Sequence, residues 1–320
     1  MAAEEIPRQQ CEDGEAGGGE ECEEGGGEGE QQAGEEPEAL QGESEDRSTC
    51  GIVGWNRMWH DCGLCHLEYN FMPNGAQVEL WQAERVAAQV NVSTAMNGMH
   101  YAAWGETRLA EADLERLVNT VPATITPALR DRAYYFVPLT IADTGEILLA
   151  PTYSVELSDR AVCHRNATIG STEAVFLSSR LVEDRFGLAF EFFINVAHNF
   201  VDIAGVPEGF ARLVWSQAEA QTRGETSQDA WEMRRRALDS HGGQKGVDER
   251  ARNGYFESTF SDALAIYMLS LAVDFDYHDL REREYPLLAA PALAERLRNV
   301  ASIFPPNPGY EFQILYRRKG

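Results

Sequence analysis

The residues best suited to chemistry lie in one run: Phe192-Phe193-Ile194-Asn195-Val196-Ala197-His198-Asn199-Phe200-Val201-Asp202-Ile203-Ala204-Gly205. On a helix, the pattern H-E-x-x-H puts two imidazoles one turn apart on one face, with a carboxylate beside them. Such a set binds zinc, and the carboxylate takes the proton of the metal-bound water. Here the second His is kept as His198. Ile194 stands at the first His position and Asn195 at the carboxylate position. A hydrocarbon cannot ligate and a neutral carboxamide cannot act as a base. Reading His198-Asn199-Phe200-Val201-Asp202 as the altered motif also leaves an Asn where the base should be. The simplest alternative is a buried helix with one hydrogen-bonded His. A metal could still be held by His198 and Asp202, one turn apart on one face, with Glu257 or Asp262 completing a His/carboxylate set.

A second cluster is His60-Asp61-Cys62-Gly63-Leu64-Cys65-His66. Cys62-x-x-Cys65-His66 matches a haem attachment pattern, whose chemistry needs export. Cys62 and Cys65 could bind zinc with His60, His66, Cys50 or Cys163, or act as a redox pair, but no second Cys-x-x-Cys is present. Ordinary thiols are the plainest reading. Cys163-His164 is read as incidental, because neighbours on an extended chain point to opposite faces. Arg234-Arg235-Arg236 reads as a solvated helix face, and the Met and aromatic residues of 255–275 read as core.

These residues need a scaffold, and the chain of 320 residues is long enough for one. Its formal charge of −25 is concentrated at the start: residues 1–49 hold 17 of the 52 acidic side chains and 2 of the 27 basic ones. That Glu- and Gly-rich segment is expected to be a disordered acidic tail. Neither part offers the basic face that nucleic acid requires. No apolar run approaches the roughly 20 residues of a membrane span. The chain opens without a basic-then-apolar leader, so an intracellular location is expected. The sequons at Asn91 and Asn166 then carry no weight. Oligomeric state leaves no mark in the pattern.

Residues 50–104, rich in Trp, are expected to form a subdomain with a turn at Phe71–Gly75, and 105–320 the main domain. Within the latter, 106–119 has helical spacing. Tyr134–Ile141 reads as a strand, Asp143-Thr144-Gly145 as a turn, Ile147–Leu157 as the returning strand and Glu173–Ser179 as a third. Helices are expected over 185–204 (apolar almost all round, ended by Gly205), 207–222, from a capping box at Thr226–Asp229 to 239, 255–273 and 291–302. A Gly-rich loop at His241–Gly246 separates two of them. The class is α+β: a small mixed sheet, then a helical half around a central buried helix.

The strand–helix–loop–helix order of 173–273 resembles gluzincins, and most closely the metallopeptidase domain of the anthrax lethal factor type. The residues carrying the likeness are Asp202-Ile203-Ala204-Gly205 after the helix motif, the later run Ser258-Thr259-Phe260-Ser261-Asp262-Ala263-Leu264, and the Pro291-led closing helix. The likeness covers about 105–305. It implies a zincin-like fold with an edge strand beside the active-site helix. It also implies a third metal ligand at Ser258, or at Glu257 if the register slips by one. With Ile194, Asn195 and Ser258 at the three critical positions, the resemblance implies a pseudo-peptidase with no cofactor, binding a protein or peptide segment by strand addition. A zinc hydrolase with rearranged ligands, and a small metal or redox module at 60–66, stand as alternatives.

Overall fold

The computed structural model describes residues 79–143, 146–181, 185–239, 247–280 and 285–314. The acidic segment, the Cys62/Cys65 cluster with His60, His66 and Cys50, the Phe71–Gly75 turn and the His241–Gly246 loop lie outside them.

The described chain is α+β. Its first part gives β1 (Trp81–Gln82), α1 (Ala83–Gln89), β2 (Ser93–Thr94), β3 (His100–Ala103) and α2 (Glu111–Asn119). Then come β4 (Arg132–Val137), β5 (Leu139–Asp143), β6 (Glu146–Ala150), a single helical turn α3 (Val155–Ser158), β7 (Ala161–Val162), β8 (His164–Ile169) and β9 (Thr172–Ser178). The remainder is helical: α4 (Arg185–Ala204), α5 (Glu208–Glu219), α6 (Gln228–Leu238), α7 (Glu249–Ala272) and α8 (Ala290–Ile303).

Two small sheets form. One has the order β2-β3-β4-β9-β8, with β3, β4 and β9 parallel and the two outer strands antiparallel to their neighbours. The other, β1-β6-β5-β7, is antiparallel throughout. The expected single strand 134–141 is divided between them. Pro138 has no N–H to continue a ladder, so β4 stops at Val137 and the chain enters the second sheet as β5. Thr144 and Gly145 of the expected turn lie outside the described residues; β5 and β6 pair up to Asp143 and Glu146. The returning strand ends at Ala150 rather than Leu157, because Pro151 interrupts it and Val155–Ser158 coils into α3.

The expected boundary at 104/105 does not divide the described residues. β1 pairs with β6, β3 lies beside β4, and all belong to one compact unit. Burial on both faces explains why β4 and β9 read as continuous apolar runs. Tyr134, Phe136, Val175 and Leu177 face the helical core; Ala133, Tyr135, Val137, Ala174 and Phe176 face a smaller core closed by α1 and β6.

Helix α4 runs through the larger core. Phe192 packs edge-on against Tyr134 at 5.3 Å between ring centres, and Phe193, Val196 and Ala197 are fully buried. Burying one such aromatic ring contributes about 1.5–3 kcal/mol. The helix ends at Gly205, which takes φ +70° and donates its N–H to Val201 O at 2.8 Å. That left-handed turn suits glycine. Helix α7 packs along α4 and is buried on every side from Thr259 to Leu269, as its aromatic and Met content led one to expect.

A buried ionic staple fixes the helical half. Glu225, in the loop before α6, accepts from Arg296 Nη1 at 2.9 Å, Arg234 Nη1 at 3.1 Å and Tyr255 Oη at 2.7 Å. It thereby joins α8, α6 and α7. Arg234 is thus no part of a solvated basic face, because its guanidinium is buried against Glu225 and the Gly224 carbonyl. Ser227, one residue later than the expected cap, accepts from Ala230 N and starts α6.

Candidate functional site between the edge strand and the central helix

Glu191, Asn195, His198 and Asp202 recur at four-, three- and four-residue spacing, so they share one face of α4. Glu191 and Asn195 are buried, His198 is half-buried and Asp202 is exposed. The residue that meets this face is His164, the first of β8. Its Nδ1 pairs with the Glu191 carboxylate. Cys163 points the other way, where Arg180 Nη2 lies 3.7 Å from its Sγ. The opposite-faces expectation therefore holds, but His164 is not incidental.

Asn195 donates from Nδ2 to the Glu191 carbonyl at 2.8 Å and to Glu191 Oε1 at 3.4 Å. Its amide is thus turned toward its own helix. Burial, then the neighbouring His164, pushes the His198 imidazolium down to about 4, with the Glu191 charge opposing. His198 is therefore neutral near pH 7. Asn199, the base position in the alternative register, is buried and donates to Tyr134 Oη at 3.1 Å.

The other expected site residues lie in different places. Asp202 and Glu257 are electrostatic neighbours at the solvent-facing margin of α4 and α7. Partial burial raises both carboxyls, with Arg132 opposing at Asp202 and the Asp202 charge adding at Glu257. Asp262 is fully buried and accepts from Thr226 Oγ1 at 2.7 Å. Burial pushes it up to about 7, against the Ser227 and Thr226 hydroxyls; Asp229 and Glu225 add to the rise. Among the described residues, no three His, Cys, Asp or Glu side chains group so as to hold a metal ion.

A catalytic zinc of the gluzincin kind does not fit at the motif positions. Ile194 is buried in the main apolar core, the Asn195 amide donates to Glu191, and Ser258 offers a hydroxyl on a half-buried turn of α7. A zinc of that kind needs three nitrogen, sulfur or carboxylate ligands.

The second functional element is the rim of the five-stranded sheet. The strand directly before α4, β9, is central; the edge is β8, one hairpin earlier. The two-residue turn Gly170-Ser171 closes on the pair Ile169/Thr172, and Ser178 N donates to Cys163 O at 2.8 Å. In an antiparallel ladder the bonded pairs alternate. The backbone groups of Arg165, Ala167 and Ile169 therefore face β9, and those of Asn166 and Thr168 face outward. Arg165, Asn166 and Thr168 are exposed.

Sequence reasoning missed Glu191 and His164. The signal for Glu191 was its solitary charge between Arg185 and Asp202 in an otherwise apolar helix, two turns before His198. His164 carried none, because its partner is distant in sequence. No family model, no curated protein and no solved structure matches this chain.

Proposed function

We propose that this chain is a zincin-like protein that binds an extended polypeptide segment and does not hydrolyse it. The observation that carries the reading is the outer edge of β8, which has no strand partner among the described residues and whose His164 meets the altered motif face of α4. An added strand would bond to the outward N–H and C=O groups of Asn166 and Thr168. The side chains of its alternate residues would lie toward the α4 face or toward solvent. The chemistry of that face supports binding without cleavage. It has a neutral imidazole at His198, and at Asn195 a buried carboxamide bonded to Glu191 stands in place of a proton acceptor.

The test uses peptides selected on the full chain from a random library and measured by fluorescence anisotropy. Asn166→Pro removes one outward donor, a change tolerated at a sheet edge because the lost N–H was not part of the ladder. Binding should fall at least tenfold while the unfolding midpoint stays in place. Unchanged affinity would remove strand addition at β8 from the account.

A further inference from the structure

A hollow lies where the end of α7, the turn Tyr277–Leu280, the start of α8 and the segment 312–314 come together. Neither α4 nor β8 lends it a lining residue. It encloses about 120 Å³. Its inner wall is the buried set Ile266, Leu280, Leu293, Ala294 and Leu297. Phe275, Tyr277 and Phe312 add three rings. Two of these are held in place: Phe312 packs edge-on against Tyr267 at 5.1 Å between ring centres, and Tyr277 donates its hydroxyl to Leu288 O. Protein interiors are close-packed and leave few voids larger than a water molecule. An apolar cavity of roughly 150 Å³ takes up benzene, so this one has room for a single six-membered ring.

The polar groups narrow the class further. Ser270 Oγ donates to Tyr267 O at 2.6 Å and Gln313 Nε2 to Glu311 at 3.1 Å. In the adjoining turn, Asp276 accepts from His278 N and Asp279 from Asp276 N. Asp274 is different. It lines the hollow, is exposed, and so stands on the solvent side. Among the described residues its carboxylate has no hydrogen bond and no ion pair. An ionised carboxylate only accepts, and its strongest partners are cationic donors. The faces of nearby aromatic rings attract the same kind of group.

We infer that this hollow binds a small organic ammonium compound: one apolar ring in the cavity between α7 and α8, and a short aminoalkyl arm reaching Asp274. The ring supplies the affinity by leaving water for an apolar wall. The ammonium supplies the selectivity, because Asp274 favours a cation over a neutral or anionic group of the same size. The site stands apart from the α4 face and does not depend on strand addition there.

The experiment titrates 2-phenylethylamine, 2-phenylethanol and phenylacetate into the full-length chain and follows its Ile and Leu methyl groups by NMR. The amine should saturate with a Kd below about 1 mM. The alcohol should bind about five- to tenfold more weakly, and the acid more weakly still. Shifts should centre on the methyl groups of Ile266, Leu280, Leu293, Leu297 and Ile314. Asp274→Asn, an exposed change, should bring the amine down to the affinity of the alcohol. Ala294→Leu, which fills the cavity, should abolish binding of both. Should Ala294→Leu unfold the protein, the methyl shifts of the unsubstituted chain and the Asp274→Asn titration decide the matter. No saturable amine binding, equal affinity for amine and alcohol, amine affinity unchanged in Asp274→Asn, or shifts confined to other methyl groups would overturn the site. Asn166→Pro should leave amine binding intact, so a failure of strand addition at β8 and a failure of this site are read separately.

Discussion

His198 and Asp262 should oppose each other in the acid stability of the protein. His198 titrates near 4 in the fold and near 6.5 in the unfolded chain. Between those values the unfolded state holds one more proton, so this group makes stability rise with pH by roughly 1.4 kcal/mol per unit. Over the whole window that amounts to about 3 kcal/mol, reduced to about 2 because His198 is partly reached by solvent. Asp262 is displaced in the other sense, from 3.8 to about 7. In its window the folded state holds the extra proton, so stability falls with rising pH by a similar slope. The total is about 4 kcal/mol for this fully buried carboxyl. From about pH 4 to 6.5 the two nearly cancel. Asp202, Asp229 and Glu257, also raised, add to the Asp262 sense equally in every variant. The assay is urea unfolding by Trp fluorescence across that window, in chelator, for the unsubstituted chain, His198→Asn and Asp262→Asn. The Asn at 262 keeps an acceptor for Thr226 Oγ1. His198→Asn should expose the falling slope and Asp262→Asn the rising one, so their curves should cross. Parallel curves for the three proteins would refute the burial argument for both groups.

Further outcomes follow from the scaffold. Glu225→Ala strands two buried guanidiniums and should cost at least about 3 kcal/mol in urea unfolding. A Glu225→Gln change keeps the acceptor but loses the charge, and should cost less. Gly224 has φ +81°, and a Cβ there would lie 2.2 Å from Leu287 O, so Gly224→Ala should lower the thermal midpoint by more than a surface Gly→Ala change. Gly205→Ala, with open space around it, should cost about 1 kcal/mol from backbone conformation alone.

The helical half was legible because its signals are local. Helix α4 was expected at 185–204 and occupies Arg185–Ala204, since the apolar run and Gly205 need no distant partner. Helix α7 begins six residues before its expected start at Tyr255, because Asp248 caps it by accepting from Ala251 N ahead of the apolar stretch. Helix α2 begins at Glu111 rather than 106, although Leu114 and Val118 are buried as their spacing required. Sheet membership was not legible. Pro138 could be seen as an interruption, but nothing local says that Leu139 joins a different sheet or that β3 pairs with β4. The site divides in the same way. His198, Asn195 and Ile194 follow from a spacing pattern, whereas the His164–Glu191 contact joins a strand and a helix 27 residues apart in sequence. Asp262 had the right spacing on its helix but a different partner, because Thr226 and Ser227 come from a loop whose path spacing does not specify.

On the proposed reading, the α4 face beside β8 binds an extended segment and cannot activate water to split it. The most direct measurement incubates the purified full-length chain with a mixed-sequence peptide library. It does so with chelator and with added Zn2+, and counts new peptide termini by mass spectrometry. No cleavage above the protein-free control is expected in either condition. Cleavage that disappears with chelator, returns with Zn2+ and is lost in His198→Asn would contradict it.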